Sequence, residues 1–159
     1  PGPGDYRPRP CARGTAQCES RLLVVGQAKP RRFQRLARRL KVAAGVEFLG
    51  GREDVADLML GADLLVHPAR TEAAGTVLLE ALAAGLPVVV TAGCGYAHHV
   101  KAARAGILLP SPFSQEQLDR AVLRYFDGVF RAECRSSAKA KGPCDPRYSA
   151  TLKIIRESR

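Results

Sequence analysis

Two glutamates, Glu72 and Glu80, stand in a stretch that otherwise consists mainly of Ala, Leu, Gly and Val, namely HPARTEAAGTVLLEALAAGLPVVV at 67–90. Charged side chains are seldom buried without a partner, so both carboxylates are candidates for chemistry. In one continuous helix they would lie about 12 Å apart along the axis, too far apart to serve one small group. Pro68 and Gly75 instead predict a loop over 67–75 and a helix that begins near Thr76. Glu72 is then a loop residue, and Glu80 lies one turn inside the helix.

The predicted helix start between the two glutamates suits an anion. The first backbone N–H groups of a helix have no intrahelical acceptor, and the helix dipole favours negative charge there. Gly75 lets the backbone approach such an anion closely. Carboxylates on either side would accept hydrogen bonds from hydroxyl groups, which is the layout of a nucleotide-sugar: sugar hydroxyls, diphosphate, ribose hydroxyls. The spacing alone leaves a second interpretation open, in which Glu72 is solvated and Glu80 pairs with a nearby arginine.

The surrounding elements predict an α/β fold. Short, continuously apolar strands alternate with helices, which is typical of a Rossmann-like parallel sheet with helices on both faces. Strands are expected at 21–26, 46–51, 63–68, 86–91 and 105–110, and helices at 30–42, 53–62, 76–85 and 114–126, with weaker helical candidates at 131–141 and 149–158. In such sheets ligands bind beyond the carboxyl ends of the strands.

Two of these helices carry sequence signals of their own. Helix 30–42 is expected to bury one apolar stripe, formed by Phe33, Leu36, Ala37 and Leu40. Helix 114–126 is expected to begin with a capping box made by Ser114 and Gln117. Residues 1–20 hold four Pro and three Gly, so we expect a disordered or disrupted segment there, a nucleotide-sugar-binding domain at 21–145 and a C-terminal helix at 146–159.

The net charge of +10 is concentrated at one end of the chain. Residues 1–45 carry 11 Lys and Arg against two Asp and Glu, whereas residues 46–159 carry 14 against 13. The arginines of helix 31–39 fit a solvated face, a contact with anionic membrane or a phosphorylated lipid acceptor, or nucleic acid. Aromatic residues do not interleave with them as single-strand binding requires.

The cysteine spacing argues against a zinc protein, and the lengths of the apolar runs argue against a membrane-spanning protein. The five cysteines include no CxxC pair, which indicates reduced, unpaired thiols and no zinc site. No apolar run reaches the roughly 18 residues of a membrane span, and the first ten residues have no apolar signal region. We therefore expect a cytoplasmic protein, peripheral on the inner membrane if the basic end meets lipid.

The spacing E-x7-E in EAAGTVLLE, followed by ALAAGLPVVVT, resembles the donor-binding signature of family 4 glycosyltransferases of the GT-B fold. Further stretches are similar, in order, to the lipopolysaccharide core glucosyltransferases within that family. They are LLVVGQAKPRRFQRLA (22–37), GREDVADLMLGADLLVHPA (51–69), EAAGTVLLEALAAGLPV (72–88), CGYAHHV (94–100) and PFSQEQL (112–118).

The resemblance implies a retaining glucosyl transfer from a UDP-sugar to a lipopolysaccharide inner-core heptose at the membrane surface, without metal or other cofactor. Glu72 would be the catalytic-site residue, bound to hydroxyls of the donor hexose, and Glu80 would bind the ribose. The diphosphate would be held by backbone amides of Gly75, Thr76, Val77 and Leu78. The donor pocket would also include Gly26, Gln27 and Arg52, with Arg52 beside the uracil. His67 and His98 fit either a pocket contact or a structural hydrogen bond.

Two features of the family are not matched. The N-terminal acceptor half is absent from this sequence, and residues 1–20 do not supply the basic pair that the family places just upstream. We therefore expect a C-terminal donor-binding fragment that binds UDP-sugar weakly and turns over little or not at all. The alternatives are a basic module that binds nucleic acid or another anion, an inactive fragment, and a GT-B enzyme similar to a UDP-sugar epimerase.

Overall fold

The structure is a computed structural model that describes residues 20–26, 30–126 and 151–155, the last of these for the backbone alone. The described residues divide into two compact units, one up to Asp63 together with 151–155, the other from Leu64 to residue 126. The expected 21–145 domain is thus divided after Asp63. Gln27, residues 1–19 and the helical candidate at 131–141 lie outside the described residues.

The first unit is built around the strand β1, Arg21–Val25. The helix α1 (Arg31–Arg39), the strand β2 (Val46–Gly50) and the helix α2 (Val55–Leu60) follow it in the chain. β1 pairs in parallel with β2 on one side and with the strand β6, Thr151–Ile155, on the other. The buried side chains include Leu23 and Val25 of β1 and Leu58 and Met59 of α2.

The second unit repeats the alternation of strand and helix. Its elements are β3 (Leu64–His67), α3 (Thr76–Ala83), β4 (Val88–Thr91), α4 (Ala97–Ala102), β5 (Gly106–Leu109) and α5 (Gln115–Phe126). β4 pairs in parallel with β3 and with β5, and all residues of β3 and β4 are buried. α4 and α5 both pack against β4 and β5. The predicted α/β class with parallel strands is confirmed.

The predicted apolar stripe of α1 is only partly correct. Ala37 is buried and Phe33 is half-buried, but Leu36 is 41% exposed and Leu40 is 60% exposed. The helix ends at Arg39, and Lys41 has φ +59°, so the chain turns away before Leu40 can extend the buried face. The exposed surface of this helix is therefore both basic and apolar.

Two elements were not anticipated. Residues 97–102 show no helical pattern in the sequence, because α4 is six residues long and carries two adjacent histidines. The C-terminal helix predicted at 146–159 is wrong for residues 151–155, which form β6. Pairing with β1, some 130 residues earlier in the chain, decides this strand, and a local periodicity does not register that pairing.

The predicted boundaries of α3 and α5 are confirmed to within two residues. In the capping box of α5, the backbone N–H of Ser114 donates to Gln117 Oε1 at 2.8 Å, and that of Gln117 donates to Ser114 Oγ at 3.2 Å. Gly85, with φ +68°, follows the end of α3 as a left-handed stop residue. Within the described ranges, none of the helices combines the length and apolar character that a membrane crossing requires.

Candidate functional site

The loop 69–75 and the start of α3 form the candidate site, as the sequence predicted. The residue before the helix is Gly75, whose φ of +77° and ψ of +51° lie in the left-handed region that favours glycine. Glu72 belongs to the loop, and Glu80 is the fifth residue of α3. Gly75 is buried, whereas Thr76 is exposed, so the N-terminal end of the helix reaches solvent.

Three of the four predicted backbone donors are available at this helix start. The amides of Gly75, Thr76 and Val77 have no acceptor within the described part of the chain. The fourth is a correction, because the Leu78 N–H donates to the Gly75 carbonyl at 2.9 Å. The first turn closes tightly on Gly75, so an anion at this end would meet three N–H groups and the positive end of the helix dipole.

The carboxylates of Glu72 and Glu80 flank these amides and make no hydrogen bond or ion pair with any described residue. Glu72 is half-buried in the loop, and Glu80 is exposed on α3. The second interpretation, in which Glu80 pairs with an arginine, is therefore not seen in the described structure. Both carboxylates remain available to accept hydrogen bonds from the hydroxyls of a ligand.

Residues of the 91–96 segment, which runs from the end of β4 to the start of α4, hold the loop in place. The N–H of Gly95 donates to the Glu72 carbonyl at 3.0 Å, and that of Tyr96 donates to the Ala74 carbonyl at 2.8 Å. The hydroxyl of Thr91 donates to the Ala69 carbonyl. The sequence did not predict these hydrogen bonds, because the pattern of a loop does not reveal which later segment will bond to its carbonyls.

Cys94 lies under the loop as a buried thiol. Its Sγ is 3.7 Å from the Ala74 carbonyl oxygen, and burial raises the pKa of the thiol above its ordinary value, with a smaller contribution from the Glu72 carboxylate. The protonated thiol is therefore the form present at neutral pH. A protonated thiol is a weak donor, which suits its position against a carbonyl.

The predicted pocket residues of the first unit are only partly described. The N–H of Gly26 donates to the Gly50 carbonyl at 2.8 Å, which ties the end of β1 to the end of β2. The guanidinium of Arg52 makes two hydrogen bonds of 2.6 Å to the Asp54 carboxylate, and this contact raises the pKa of Arg52. The Arg52 side chain is thus engaged by Asp54. A role for either residue in donor binding stays a prediction.

The two histidines named by the sequence lie in different surroundings. His67 is buried at the end of β3. His98 is exposed on α4, and its Nδ1–H donates to the Gly95 carbonyl at 2.9 Å, which favours the structural alternative for this residue. Among the described residues, no group of three or more His, Cys, Asp or Glu side chains could hold a metal ion.

Comparison with known proteins identifies the family. Residues 15–141 match the family described as glycosyl transferases group 1. The chain belongs to this family. The lipopolysaccharide glucosyltransferase WaaG of Escherichia coli K12 is 57% identical over 101 residues, which is 64% of this chain and 27% of that protein. A D-inositol 3-phosphate glycosyltransferase of Streptomyces griseus is 37% identical over 117 residues, which is 72% of this chain and 25% of the relative.

Solved structures of glycosyltransferases share the fold. A crystal structure of WaaG, a glycosyltransferase involved in lipopolysaccharide biosynthesis, superposes with a TM-score of 0.72 at 47% identity, covering 80% of this chain and 35% of the other. Anabaena Alr3699/HepE in complex with UDP-glucose gives a TM-score of 0.63 at 28% identity, covering 80% and 36%. These neighbours are GT-B glycosyltransferases. The chain spans about a quarter to a third of the length of these relatives.

Proposed function

We propose that this chain binds the UDP-sugar donor of a retaining, family 4 glycosyl transfer, with UDP-glucose as the donor and the heptose of a lipopolysaccharide inner core as the acceptor. The observation that carries the proposal is the arrangement at the start of α3. Three available amides and the helix dipole lie between two carboxylates that have no partner among the described residues. An anion flanked by hydroxyls on both sides matches this arrangement, and a nucleotide-sugar has that order of groups.

Each residue then has one role. The Glu72 carboxylate accepts hydrogen bonds from hydroxyls of the hexose and is the catalytic-site residue. The Glu80 carboxylate accepts them from the ribose. The amides of Gly75, Thr76 and Val77 bind the diphosphate. Complexes of the structural neighbour Anabaena Alr3699/HepE with UDP and with UDP-glucose support this choice of ligand.

In the proposed transfer the acceptor hydroxyl replaces UDP at the anomeric carbon of glucose, and its proton passes to an oxygen of the departing diphosphate, so no side chain is needed as the base. Negative charge develops on the leaving UDP as the glycosidic bond breaks, and N–H groups already aimed at the diphosphate stabilise that charge without reorganising. The helix dipole adds to the same effect. These fixed dipoles are our reason for proposing a metal-independent reaction.

Calorimetric titration with UDP tests the ligand assignment. We expect wild-type chain to bind UDP, and Glu80→Gln to bind it about tenfold more weakly, since a hydrogen bond to a charged acceptor contributes about 1.5–3 kcal/mol. The matched control is Glu116→Gln, at an exposed glutamate of α5 that pairs with Arg120.

A ligand without ribose hydroxyls sharpens this test. We expect 2′,3′-dideoxy-UDP to bind wild type and Glu80→Gln equally, because the contact removed by the substitution is already missing from the ligand. Two results contradict the proposal: no UDP binding by the wild-type chain, or the same loss of affinity in Glu80→Gln for both ligands.

We further propose a cytoplasmic location at the periphery of the inner membrane, where a lipid-linked acceptor would lie. The support is an exposed surface, here called the basic face, formed by Arg31, Arg35, Arg38 and Arg39 of α1 together with Lys41 just after the helix. Leu36 and Leu40 are exposed beside these side chains, and the helix contains no acidic residue. Basic side chains near an anionic lipid surface contribute about 1 kcal/mol each, and exposed leucines add apolar contact.

Co-sedimentation with vesicles containing phosphatidylglycerol tests the basic face. Replacing Arg35 and Arg39 by Gln should weaken binding about thirtyfold at low salt, as expected for two such contacts. The control replaces Lys101 and Arg104, two exposed basic residues in and after α4, and removes the same charge. Equal losses in both double variants would show that net charge alone, and no particular face, mediates the binding.

A further inference from the structure

Four hydrogen bonds between the 91–96 segment and the loop 69–75 run in one direction. The donors are on the 91–96 segment: the Thr91 hydroxyl, the Cys94 thiol and the N–H groups of Gly95 and Tyr96. In these four bonds the acceptor is a main-chain carbonyl of the loop, that of Ala69, Glu72 or Ala74, and Glu72 and Cys94 form a parallel bridge. The loop therefore presents its carbonyls to this segment.

This direction decides where the amides of the loop point. In a trans peptide the C=O and the N–H of one unit point in opposite directions. The Glu72 carbonyl faces Gly95, so the N–H of Ala73 points away from the 91–96 segment. The Ala74 carbonyl faces Tyr96, so the N–H of Gly75 points away as well. At the next unit the Gly75 carbonyl faces the Leu78 N–H inside the helix, so the N–H of Thr76 points out of the helix end.

The two backbones approach so closely at Gly95 that only glycine fits. A Cβ at this position would lie 2.1 Å from the Ala73 carbonyl oxygen and 3.0 Å from its carbonyl carbon. Both atoms are main-chain atoms, which cannot move aside as the end of a side chain can. Gly95 does not have a positive φ, so the requirement is for space and not for a left-handed conformation.

The peptide unit that joins Gly95 to Tyr96 is also fixed by hydrogen bonds. The Nδ1–H of His98 donates to the Gly95 carbonyl at 2.9 Å, and the N–H of the same peptide unit, that of Tyr96, donates to Ala74. Tyr96 is also the residue that precedes α4, and Thr91 ends β4. The segment is therefore attached at both ends to elements of the sheet and its helices, and Thr91 and Cys94 are buried.

We propose that the 91–96 segment sets the direction of the Gly75 amide, the first of the three diphosphate-binding amides, and that Gly95, Thr91 and Cys94 are positioning residues of the donor site. The proposal rests on the function proposed above, since it concerns the same amides. N–H donors that already point at the ligand site spend no free energy on reorienting when the ligand binds. Their alignment therefore increases the affinity for the diphosphate, which is the group that they contact. The contacts of the uridine part do not depend on it.

Paired titrations with UDP and with uridine, which lacks the diphosphate, test the proposal. We expect Gly95→Ala to weaken UDP binding about tenfold and to leave uridine binding within about twofold of wild type. The matched control is Gly61→Ala, where the nearest atom to the new Cβ is 3.6 Å away and neither ligand should be affected. Circular dichroism and thermal melting establish that each variant is folded.

If Gly95→Ala does not fold, a pair of variants at Thr91 tests the same positioning role. Thr91→Val keeps the shape of a fully buried side chain and removes its hydroxyl donor, whereas Thr91→Ser keeps the donor. We expect Thr91→Val to lose UDP affinity selectively and Thr91→Ser to restore it. A variant that is merely less stable would lose both ligands in parallel.

The possible outcomes separate the two proposals. No UDP binding by wild type refutes the donor site itself. The second outcome is that wild type binds UDP, but Gly95→Ala and Thr91→Val each change the UDP-to-uridine affinity ratio by less than twofold. That result refutes the positioning role and leaves the donor site supported. Selective loss of UDP affinity in either variant supports the positioning role.

Discussion

Replacing Gly75 by Ala should destabilise the start of α3 in two ways that can be measured separately. The first is conformational, because φ is +77° and a left-handed L-residue costs about 1–2 kcal/mol. The second is steric, because the new Cβ would lie 2.3 Å from Cys94 Sγ. The next nearest atoms, Glu72 Cγ and Leu78 Cδ1, are 3.5 Å away, which is ordinary contact. Removing the sulfur therefore removes the steric cost and leaves the conformational one.

The expected energies follow from this division. Gly75→Ala should lower the free energy of unfolding by about 3 kcal/mol, the sum of the strain and about 1–2 kcal/mol of overpacking. Cys94→Ala should cost about 1 kcal/mol, since it leaves only a small cavity and one weak donor missing. The double variant should be more stable than the sum of the single losses by about 1–2 kcal/mol, because the clash no longer exists.

Urea unfolding followed by circular dichroism measures the three variants against wild type, with the slope of the transition monitored for each. The matched control combines Gly61→Ala with Cys94→Ala, two sites with no shared contact, where the losses should add. Strict additivity of Gly75→Ala and Cys94→Ala would refute the reasoning, since it would mean that the sulfur does not oppose a side chain at position 75.

Three further predictions concern single positions. Ser114→Ala should cost about 1 kcal/mol of unfolding free energy by removing one bond of the capping box of α5, whereas Ser114→Asp should retain most of it; thermal melting of both variants checks this. Gly106→Ala should destabilise the second unit severely, as its Cβ would lie 1.8 Å from the Val88 carbonyl oxygen, and loss of the helical circular dichroism signal at room temperature is the expected readout. Because burial raises the pKa of Cys94 above 9.0, the folded state keeps a proton that the unfolded state loses. Its contribution to stability is complete below pH 9 and declines as the pH rises further, so wild type should lose more stability than Cys94→Ala between pH 8 and pH 10 in urea titrations.

Local chemistry was enough to place the start of the candidate site. Pro68 ends β3, Gly75 provides the left-handed residue before α3, and Gly85 stops that helix, so the loop and helix boundaries could be predicted from residue types alone. The capping box at Ser114 is of the same kind, because both of its bonds join residues three apart.

The features that the sequence did not predict depend on distant parts of the chain or on the exact residue at which an element ends. β6 depends on a partner strand far away in the chain, and α4 is too short to show a periodicity. The engaged amide of Leu78 and the exposure of Leu40 follow from where a turn tightens or a helix ends, which a pattern predicts only to within a residue or two.

By itself the sequence determined the alternation of strands and helices and the position of Glu72 and Glu80 on either side of a helix start. It also indicated a glycosyltransferase, which the match to glycosyl transferases group 1 confirmed. Only the tertiary structure decided that the 91–96 segment donates hydrogen bonds to the carbonyls of the loop 69–75. The physical reason is the sequence separation of the bonded residues. Hydrogen bonds within a turn join neighbouring residues and can be predicted from residue types, whereas those between segments twenty residues apart form only once the sheet has brought the segments together.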